Sequence, residues 1–493
     1  MAARPILGAV LLTLALTAVY GATASRYLDE WDSVQFALGL EDFDITRHQP
    51  HPPGYPVYIA AGKLLFALTG NATVALVALS VITGAATAGL VFLLLRRDFA
   101  PLPALAGTLT MALAPMTWMS AGKAMTDTPG LFLLAAFLLV IAAPPDGGRG
   151  EGLRFRLVAP ALVGLVLGVR PHFAVIMLAM MALARRRGVW PSGRLGIEIL
   201  AILVATLAWL VPAALATGGF ATYFDNTLGQ FLGRFHSDRV SILATPVSGW
   251  PDGDALAALI RYALIERPLT FAEVIGRHYG VFMPNLQRLT YLLDIALLAG
   301  IVVAVARLYP RRHPARLFLP ALMLYFVMIF LILPPKNPRY ELPVVLLFAW
   351  FVPALGMRLA NARAGLAAMV AIAMVIGGMG TELAVRRAVS VPPPVAAARF
   401  IATQPEIVVI AGSMERHLRY YAPGIRVIRW GTDPESCRTA LAAIRAEGDV
   451  LSDMDEICGI QGERIYRARR DRRMHEKQWT KDIYRYRSTQ LPD

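Results

Sequence analysis

The chain has 493 residues, 56% of them hydrophobic and 17% charged, and a mean hydropathy of +0.53. A soluble domain carries about 25% charged residues, and several windows here exceed the roughly 18 apolar residues that mark a membrane span, so an ordinary soluble protein is excluded. The net charge of +14 does not point to nucleic acid, because most of the basic residues lie in short loops between apolar runs or in the segment after residue 383, and only five are lysine. That Arg- and Ala-rich composition is the one expected of a GC-rich bacterial genome.

The first 24 residues hold one arginine, an apolar core and "ATA" at 22–24. They read as a retained anchor helix rather than a cleaved signal peptide, since the apolar run is longer than a usual signal core. Apolar windows predict about eleven spans, at roughly 5–24, 73–95, 101–118, 128–144, 157–170, 172–184, 196–215, 289–307, 316–334, 341–358 and 365–383. With the N-terminus inside, the inner loops collect Arg96, Arg97, Arg185, Arg186, Arg187, Arg311, Arg312 and Arg316, while the outer loops hold nearly all the loop acids. This is the positive-inside pattern. Residues 157–184 are arginine-rich at both ends, so the stretch is read as two short helices meeting at "RPH" (170–172), where Pro171 breaks the helix.

Three outer segments follow. Loop 1, residues 25–72, is acidic, then rich in His and Pro, and ends in an interfacial helix at 57–69. The second is the turn "WMSAGKAMTD" (118–127), and the third is the long loop 216–288, which is expected to carry short surface helices and to cover a substrate. From residue 384 the composition changes. "VPPP" (391–394) reads as a linker to a small α/β domain, 384–493, with strands at 406–412, 425–430 and 449–453 and helices at 413–421 and 433–448. Its basic segment 464–473 reads as a solvated edge strand. Cys437 and Cys458, the only cysteines, have no metal-ligand spacing; a disulfide and two buried thiols both fit.

The chemistry-bearing residues concentrate in loop 1. Asp29, Glu30 and Asp32 stand within four positions of one another, just past the first span, and "VQFALGL" follows them. The acids thus open a helix, where a carboxylate is stabilised by the helix dipole, and Ser33 is expected to face the same cleft. "HQPHPPGYP" (48–56) is too proline-rich for a helix and carries His48 and His51 on a sharp turn. Such carboxylates serve as a general base, hold a divalent cation, or merely solvate a loop.

"DSVQFA" (32–37) with "HPPGYP" (51–56) resembles the first outer loop of GT-C glycosyltransferases, in the branch of the protein O-mannosyltransferases and the lipid A aminoarabinose transferase. The spacing to Phe36-Ala37 maps that family's catalytic Asp onto Asp32. The Glu that usually follows is Ser33 here, so Asp29 and Glu30 stand as the alternative carboxylates. "TDTPG" (126–130) resembles the family's Thr-Asp-x-Pro, which makes Asp127 a donor-facing or metal-facing acid, with His48 as the other candidate. "RPH" (170–172) and "NPRYELP" (337–343) resemble its basic turns. The resemblance implies that His51, Arg170, Arg339, Tyr340 and Lys123 bind a donor phosphate, against the plainer reading of basic and aromatic residues anchored at the lipid headgroups.

These readings imply a polytopic α-helical membrane protein with a GT-C-like catalytic domain over 1–383 and an outer α/β domain over 384–493. The expected activity is transfer of a sugar, with inversion, from a polyprenyl-phosphate donor to a protein, lipid or glycan acceptor on the outer face of a bacterial inner membrane. One branch is associated with a divalent cation and the other is not, so the resemblance leaves the cofactor open. The alternative is a transporter or flippase of lipid-linked substrates, which would place charges near mid-span and show inverted repeats.

Overall fold

The structure is a computed structural model that describes residues 3–142, 149–190, 195–235, 299–332, 338–359, 361–404, 407–431, 434–469 and 481–490. The chain enters through α1 (Ala3–Ala22), then forms α2 (Trp31–Glu41) and α3 (Pro56–Thr69), which pack against each other and against the helix that follows. It continues through α4 (Ala72–Leu95), α5 (Pro101–Ala112), α6 (Pro115–Ala121), α7 (Asp127–Ile141), α8 (Arg149–Leu167), α9 (Phe173–Arg186), α10 (Leu195–Ala216) and α11 (Phe220–Phe235). After residues 236–298, α12 (Ala299–Leu308) and α13 (Pro314–Ile332) follow, then a 3₁₀ segment (Pro338–Val344), α14 (Val345–Gly356) and α15 (Ala362–Val389).

Five segments are long and apolar enough to cross a membrane: Arg4–Ala22, Ala72–Leu95, Leu195–Ala216, Arg339–Gly356 and the run Ala362–Ala402 that contains α15. The other apolar helices are shorter, for identifiable reasons. The window 101–118 breaks before Pro115, which starts α6 with the fixed φ that suits a first helical position. The stretch 157–184 divides as expected into α8 and α9 across the turn at Gly168–His172. Of the window 289–307, residues 289–298 lie outside the described part; so does most of loop 216–288, of which α11 is described, and so does Lys336. The helix of 57–69 forms as α3, with Pro56 at its N-terminus and Gly70 closing it in the left-handed region.

Small residues let the helices approach. A Cβ on Gly107 of α5 would lie 2.5 Å from the Ala349 carbonyl of α14, and one on Gly62 of α3 would lie 2.9 Å from Leu76 of α4. The sequon-like "NAT" has a structural role: Asn71 caps α4, its side chain accepting from the Val74 N–H at 3.0 Å. At the arginine-rich end, His313 meets Asp98 at 3.0 Å and Arg187 donates to the Arg311 carbonyl.

Beyond α15 the chain passes through Ser390–Pro392 into α16 (Pro393–Ala402). It then builds β1 (Val408–Ala411), α17 (Glu415–Tyr421), β2 (Arg426–Arg429), α18 (Pro434–Glu447), β3 (Asp449–Ser452), the hairpin β4 (Glu456–Ile457) and β5 (Ile460–Gln461), β6 (Glu463–Ala468) and β7 (Lys481–Arg487). The five-stranded sheet has the order β2-β1-β3-β7-β6; β1 pairs in parallel with β2 and β3, and β7 is antiparallel to β3 and β6. Because side chains alternate along a strand, Val409 and Leu451 pack under α16 and α17 while Val408, Ile410 and Val450 face α18. The described part of the basic segment does form an edge strand, β6, and β7 lies beside it inside the sheet, with Ile483 and Tyr486 buried.

Cys437 of α18 and Cys458 of the β4–β5 turn are joined in a disulfide. Alkylation of the purified, unreduced full-length protein under denaturing conditions is therefore expected to label neither cysteine, and labelling after reduction to add two groups per chain. Mass-shift electrophoresis reads this directly.

Candidate active site

The acidic residues of loop 1 sit where α2 begins. Glu30 is the residue before the helix, and Asp32 lies in its first turn. Positions 32, 35 and 36 share one face of a helix, so Asp32, Gln35 and Phe36 point the same way, toward the proline-rich turn. That turn contains two cis peptide bonds, Gln49–Pro50 and Pro52–Pro53. It packs tightly on α2 because Gly39 has no side chain: a Cβ there would lie 2.8 Å from Pro50. His51 is thereby folded back beside Asp32, within a cluster of Phe36, Tyr55 and Tyr58.

Asp32 Oδ2 accepts from Arg339 Nη2 at 2.7 Å, and Asp32 Oδ1 lies 3.7 Å from His51 Nδ1. Arg339 comes from the 3₁₀ segment that opens α14, 307 positions away in the chain. Behind this pair is a second one. Arg170 Nη2 lies 2.8 Å from Asp127 Oδ1, off the N–H axis, with both side chains 3% exposed. Arg170 also donates to Thr126 Oγ1 at 3.1 Å and to the Arg339 carbonyl at 3.4 Å. The Tyr340 ring lies 5.6 Å from the Arg170 guanidinium and 5.7 Å from that of Arg339. Lys123 Nζ approaches Glu30 at 3.6 Å, and the charges of Asp32, Asp127 and Glu30 all act on Arg339. Arg170 Nε and Arg339 Nε are buried donors with no hydrogen-bond partner among the described residues.

Of the residues singled out from sequence, Asp32, His51, Asp127, Arg170, Arg339 and Tyr340 thus fall into one connected cluster, with the Lys123–Glu30 pair beside it. Two are placed differently. Asp29 turns toward the α/β domain, its carbonyl accepting from His417 Nε2 at 3.2 Å. His48 takes a left-handed conformation (φ 57°) and lines a cleft of about 240 Å³ with Arg47, Glu415, Arg416, Arg419 and Arg429. Burial and the charges of Arg416 and Arg429 hold its imidazole below the usual value. Asp127 and His48, the candidate cation ligands, therefore sit in different surroundings, and no group of three or more His, Cys, Asp or Glu side chains gathers as a metal site among the described residues. Ser33 does not join the cleft: it is 1% exposed and donates to Met125 Sδ at 3.4 Å.

The α/β domain itself reaches the site. Arg416 of α17 packs over Trp31 at 5.3 Å and touches the Gln35 amide. With the amide oxygen turned to Arg416 (2.6, 2.8 and 3.0 Å) and its NH₂ to His51 Nδ1 (2.6 Å), the amide suits the cation and the ring, and gives up the 3.4 Å bond its oxygen would otherwise accept from the His51 N–H. His51 Nε2 is 2.9 Å from the Tyr55 hydroxyl. Tyr421 accepts from the Leu28 N–H at 2.8 Å, and Tyr420 meets Thr73 at 3.1 Å. From the third outer segment, Tyr223 of α11 donates to the Pro53 carbonyl at 2.6 Å. Sequence reasoning passed over Gln35, Arg416 and His417. Gln35 carried a usable signal, as a lone amide in an apolar run three positions after Asp32; α17 carried none that linked it to loop 1.

Two outcomes follow. Removing one partner of a buried ion pair strands the other charge, which costs roughly 3–5 kcal/mol, while removing both is close to neutral. Arg170→Met and Asp127→Asn are each expected to lower the unfolding temperature in detergent more than the Asp127→Asn/Arg170→Met double variant does. Burial lowers the His417 pKa from 6.5 to about 4. The unfolded chain then takes up the proton first, so the stability His417 contributes is complete above about pH 6.5 and is lost as pH falls toward 4. Unfolding temperatures measured from pH 7.5 to 4.5 are expected to fall less in His417→Gln than in the wild type.

Searches of protein-family models and of curated protein sequences find no match. Solved structures do match. ArnT from Cupriavidus metallidurans bound to undecaprenyl phosphate superposes with a TM-score of 0.62 at 15% identity, over 99% of both chains. The apo form of the same protein gives 0.61 at 15% identity, again over 99% of both. The Archaeoglobus fulgidus oligosaccharyltransferase in complex with zinc and sulfate gives 0.49 at 14% identity, over 91% of this chain and 68% of that one. Helical bundle, the helices α2 and α3, and C-terminal α/β domain together, the chain has the fold of ArnT.

Proposed function

We propose that the protein is an integral membrane glycosyltransferase that moves a sugar from a polyprenyl-phosphate donor to an acceptor at the outer face of a bacterial inner membrane. The observation that carries this reading is the Asp32–Arg339 pair at 2.7 Å, set beside the buried Arg170–Asp127 pair at the outer end of the bundle. The fold shared with a protein whose structure holds undecaprenyl phosphate supports the donor class. The arginine-rich opposite end supports an inward orientation there, and the disulfide suits a domain in an oxidising compartment.

The chemistry follows from the charges. A donor phosphate entering beside Tyr340 competes with Asp32 for Arg339, and the buried Nε donors of Arg339 and Arg170 supply further contacts to its oxygens. Arg339 then neutralises the leaving group, and Asp32 is released to act as base. The acceptor hydroxyl or amine attacks the anomeric carbon. Its bond to that carbon forms as the bond from carbon to phosphate oxygen breaks. The electron pair leaves with the polyprenyl phosphate, and the proton goes to Asp32. A single displacement of this kind inverts the anomeric centre. Asp29 and Glu30 have other partners and serve the site indirectly.

The test uses purified protein and a panel of labelled polyprenyl-phosphate hexoses and pentoses, with and without EDTA. Wild type is expected to release or transfer sugar from one donor, and Asp32→Asn to lose at least about 10³-fold while still folding, since the amide takes no proton. Asp29→Asn is expected to lose about tenfold or less. Full loss in Asp29→Asn with a mild Asp32→Asn would reverse the assignment. No turnover of any donor, with lipid-linked sugar crossing liposome bilayers, would establish a flippase instead. The EDTA arm decides the cation.

A further inference from the structure

We propose that Arg416, supplied by the α/β domain, is a positioning residue for the general base, acting through Gln35 and His51. The inference rests on the reading of Asp32 as that base. Arg416 sits on α17, 384 positions from Asp32 in the chain, and yet its guanidinium faces the Gln35 amide oxygen with nitrogen atoms at 2.6, 2.8 and 3.0 Å. The amide oxygen rests on the face of the guanidinium, and a cation draws the oxygen end of an amide dipole rather than its NH₂ end. The contact therefore favours one orientation of the amide, with oxygen to Arg416 and NH₂ to His51 Nδ1 at 2.6 Å, over the alternative in which that oxygen accepts from the His51 N–H at 3.4 Å. A nitrogen that accepts from an amide NH₂ carries a lone pair, so the His51 proton resides on Nε2 and is given to the Tyr55 hydroxyl at 2.9 Å.

The consequence falls on Asp32. Its Oδ1 lies 3.7 Å from that same Nδ1. With Nδ1 held as an acceptor, His51 has no proton on that nitrogen to share with the carboxylate. Arg339 and, at longer range, Arg416 face the Asp32 charge, and Asp32 and Glu415 in turn help to hold the charge of Arg416 against the cost of burial. If the Arg416 contact is lost, Gln35 is able to rotate and offer its oxygen to Nδ1. A protonated Nδ1 then sits beside the carboxylate that must receive the acceptor's proton. Competition of this kind grows as pH falls.

The arrangement also gives the docked domain a purpose within the reaction. Trp31 packs under the Arg416 guanidinium at 5.3 Å, and His417 anchors the next position of α17 to the Asp29 carbonyl. At the start of the helix, Asp453 accepts from the Gly412 and Ser413 N–H groups at 2.7 and 3.0 Å, and Lys481 bonds Ser413. The turn that aims Arg416 is thus tied to the sheet at both β3 and β7.

The test measures sugar release from the active labelled donor as a function of pH in wild type, Arg416→Met, Arg416→Lys, Gln35→Met and the Arg416→Met/Gln35→Met double variant. Arg416→Met keeps the packing on Trp31. It is expected to lose about 10- to 100-fold in kcat with little change in donor KM, and its acid limb should move to higher pH by about one unit. Gln35→Met should show the same shift, and the double variant should be no worse than either single change, because the two residues act in series. Arg416→Lys, which retains charge and a donor to the amide, should keep its acid limb near that of wild type. Gln35→Met leaves the α/β domain untouched, so it decides the matter even if Arg416→Met fails to fold. An active wild type whose acid limb is unmoved in Gln35→Met overturns the relay. A wild type inactive on every donor overturns the transferase reading, and this inference with it.

Discussion

The structure depends on the cost of keeping charge out of water at one end of an apolar bundle. Asp32, Asp127 and Glu30 sit among residues that are mostly buried, and each carboxylate has a cation within 3.6 Å. The partners come from distant parts of the chain: Arg339 from the 3₁₀ segment before α14, Arg170 from the turn between α8 and α9, and Lys123 from the turn before α7. A buried charge without a partner would be destabilising by several kcal/mol. The pairs therefore hold the helix ends in register, and the same pairs make up the candidate site. In the reaction proposed above, an incoming anion opens the Asp32–Arg339 contact.

The α/β domain is part of that site rather than an appendage. Its helix α17 places Arg416, His417 and Tyr421 against the start of α2, and Tyr420 against the start of α4. Most of these are side chain to backbone contacts or bonds through a hydroxyl, and His417 is fully buried in the seam. The cleft lined by His48, Arg416, Arg419 and Arg429 opens beside this seam.

Much of this was legible from the residues themselves. Long apolar runs end at loops sorted by arginine content, and the helices lie close to where those runs predicted them. The break at "RPH" followed from the length and charge of 157–184. The acids of loop 1 stood out together by their place at the head of a helix, Asp32 among them by the resemblance of residues 32–37 to the GT-C loop, and His51 by the proline turn that follows it. What went astray had local causes. Ser33 was expected in the cleft, but one position along a helix is about 100° of rotation, which turned it inward to Met125. His48 lies three residues before His51 in a proline-rich turn rather than a regular element, so the two histidines left in different directions.

The sequence by itself determined that this is a membrane protein of many apolar helices with a small α/β domain after them, because hydropathy, charge sorting and proline breaks are local properties read one window at a time. It also marked the acids and histidines of loop 1 as candidates for chemistry. Which cation meets which carboxylate was decided only by the tertiary structure. Arg339 and Arg170 are two among many arginines, and nothing near them in the chain distinguishes the one that reaches Asp32. Arg416 is more distant still, on a helix whose apolar pattern reports only its own sheet. Pairings of this kind are set by how helix ends and domain faces come together in three dimensions, where the need to neutralise every buried charge selects one arrangement among many that local pattern would allow.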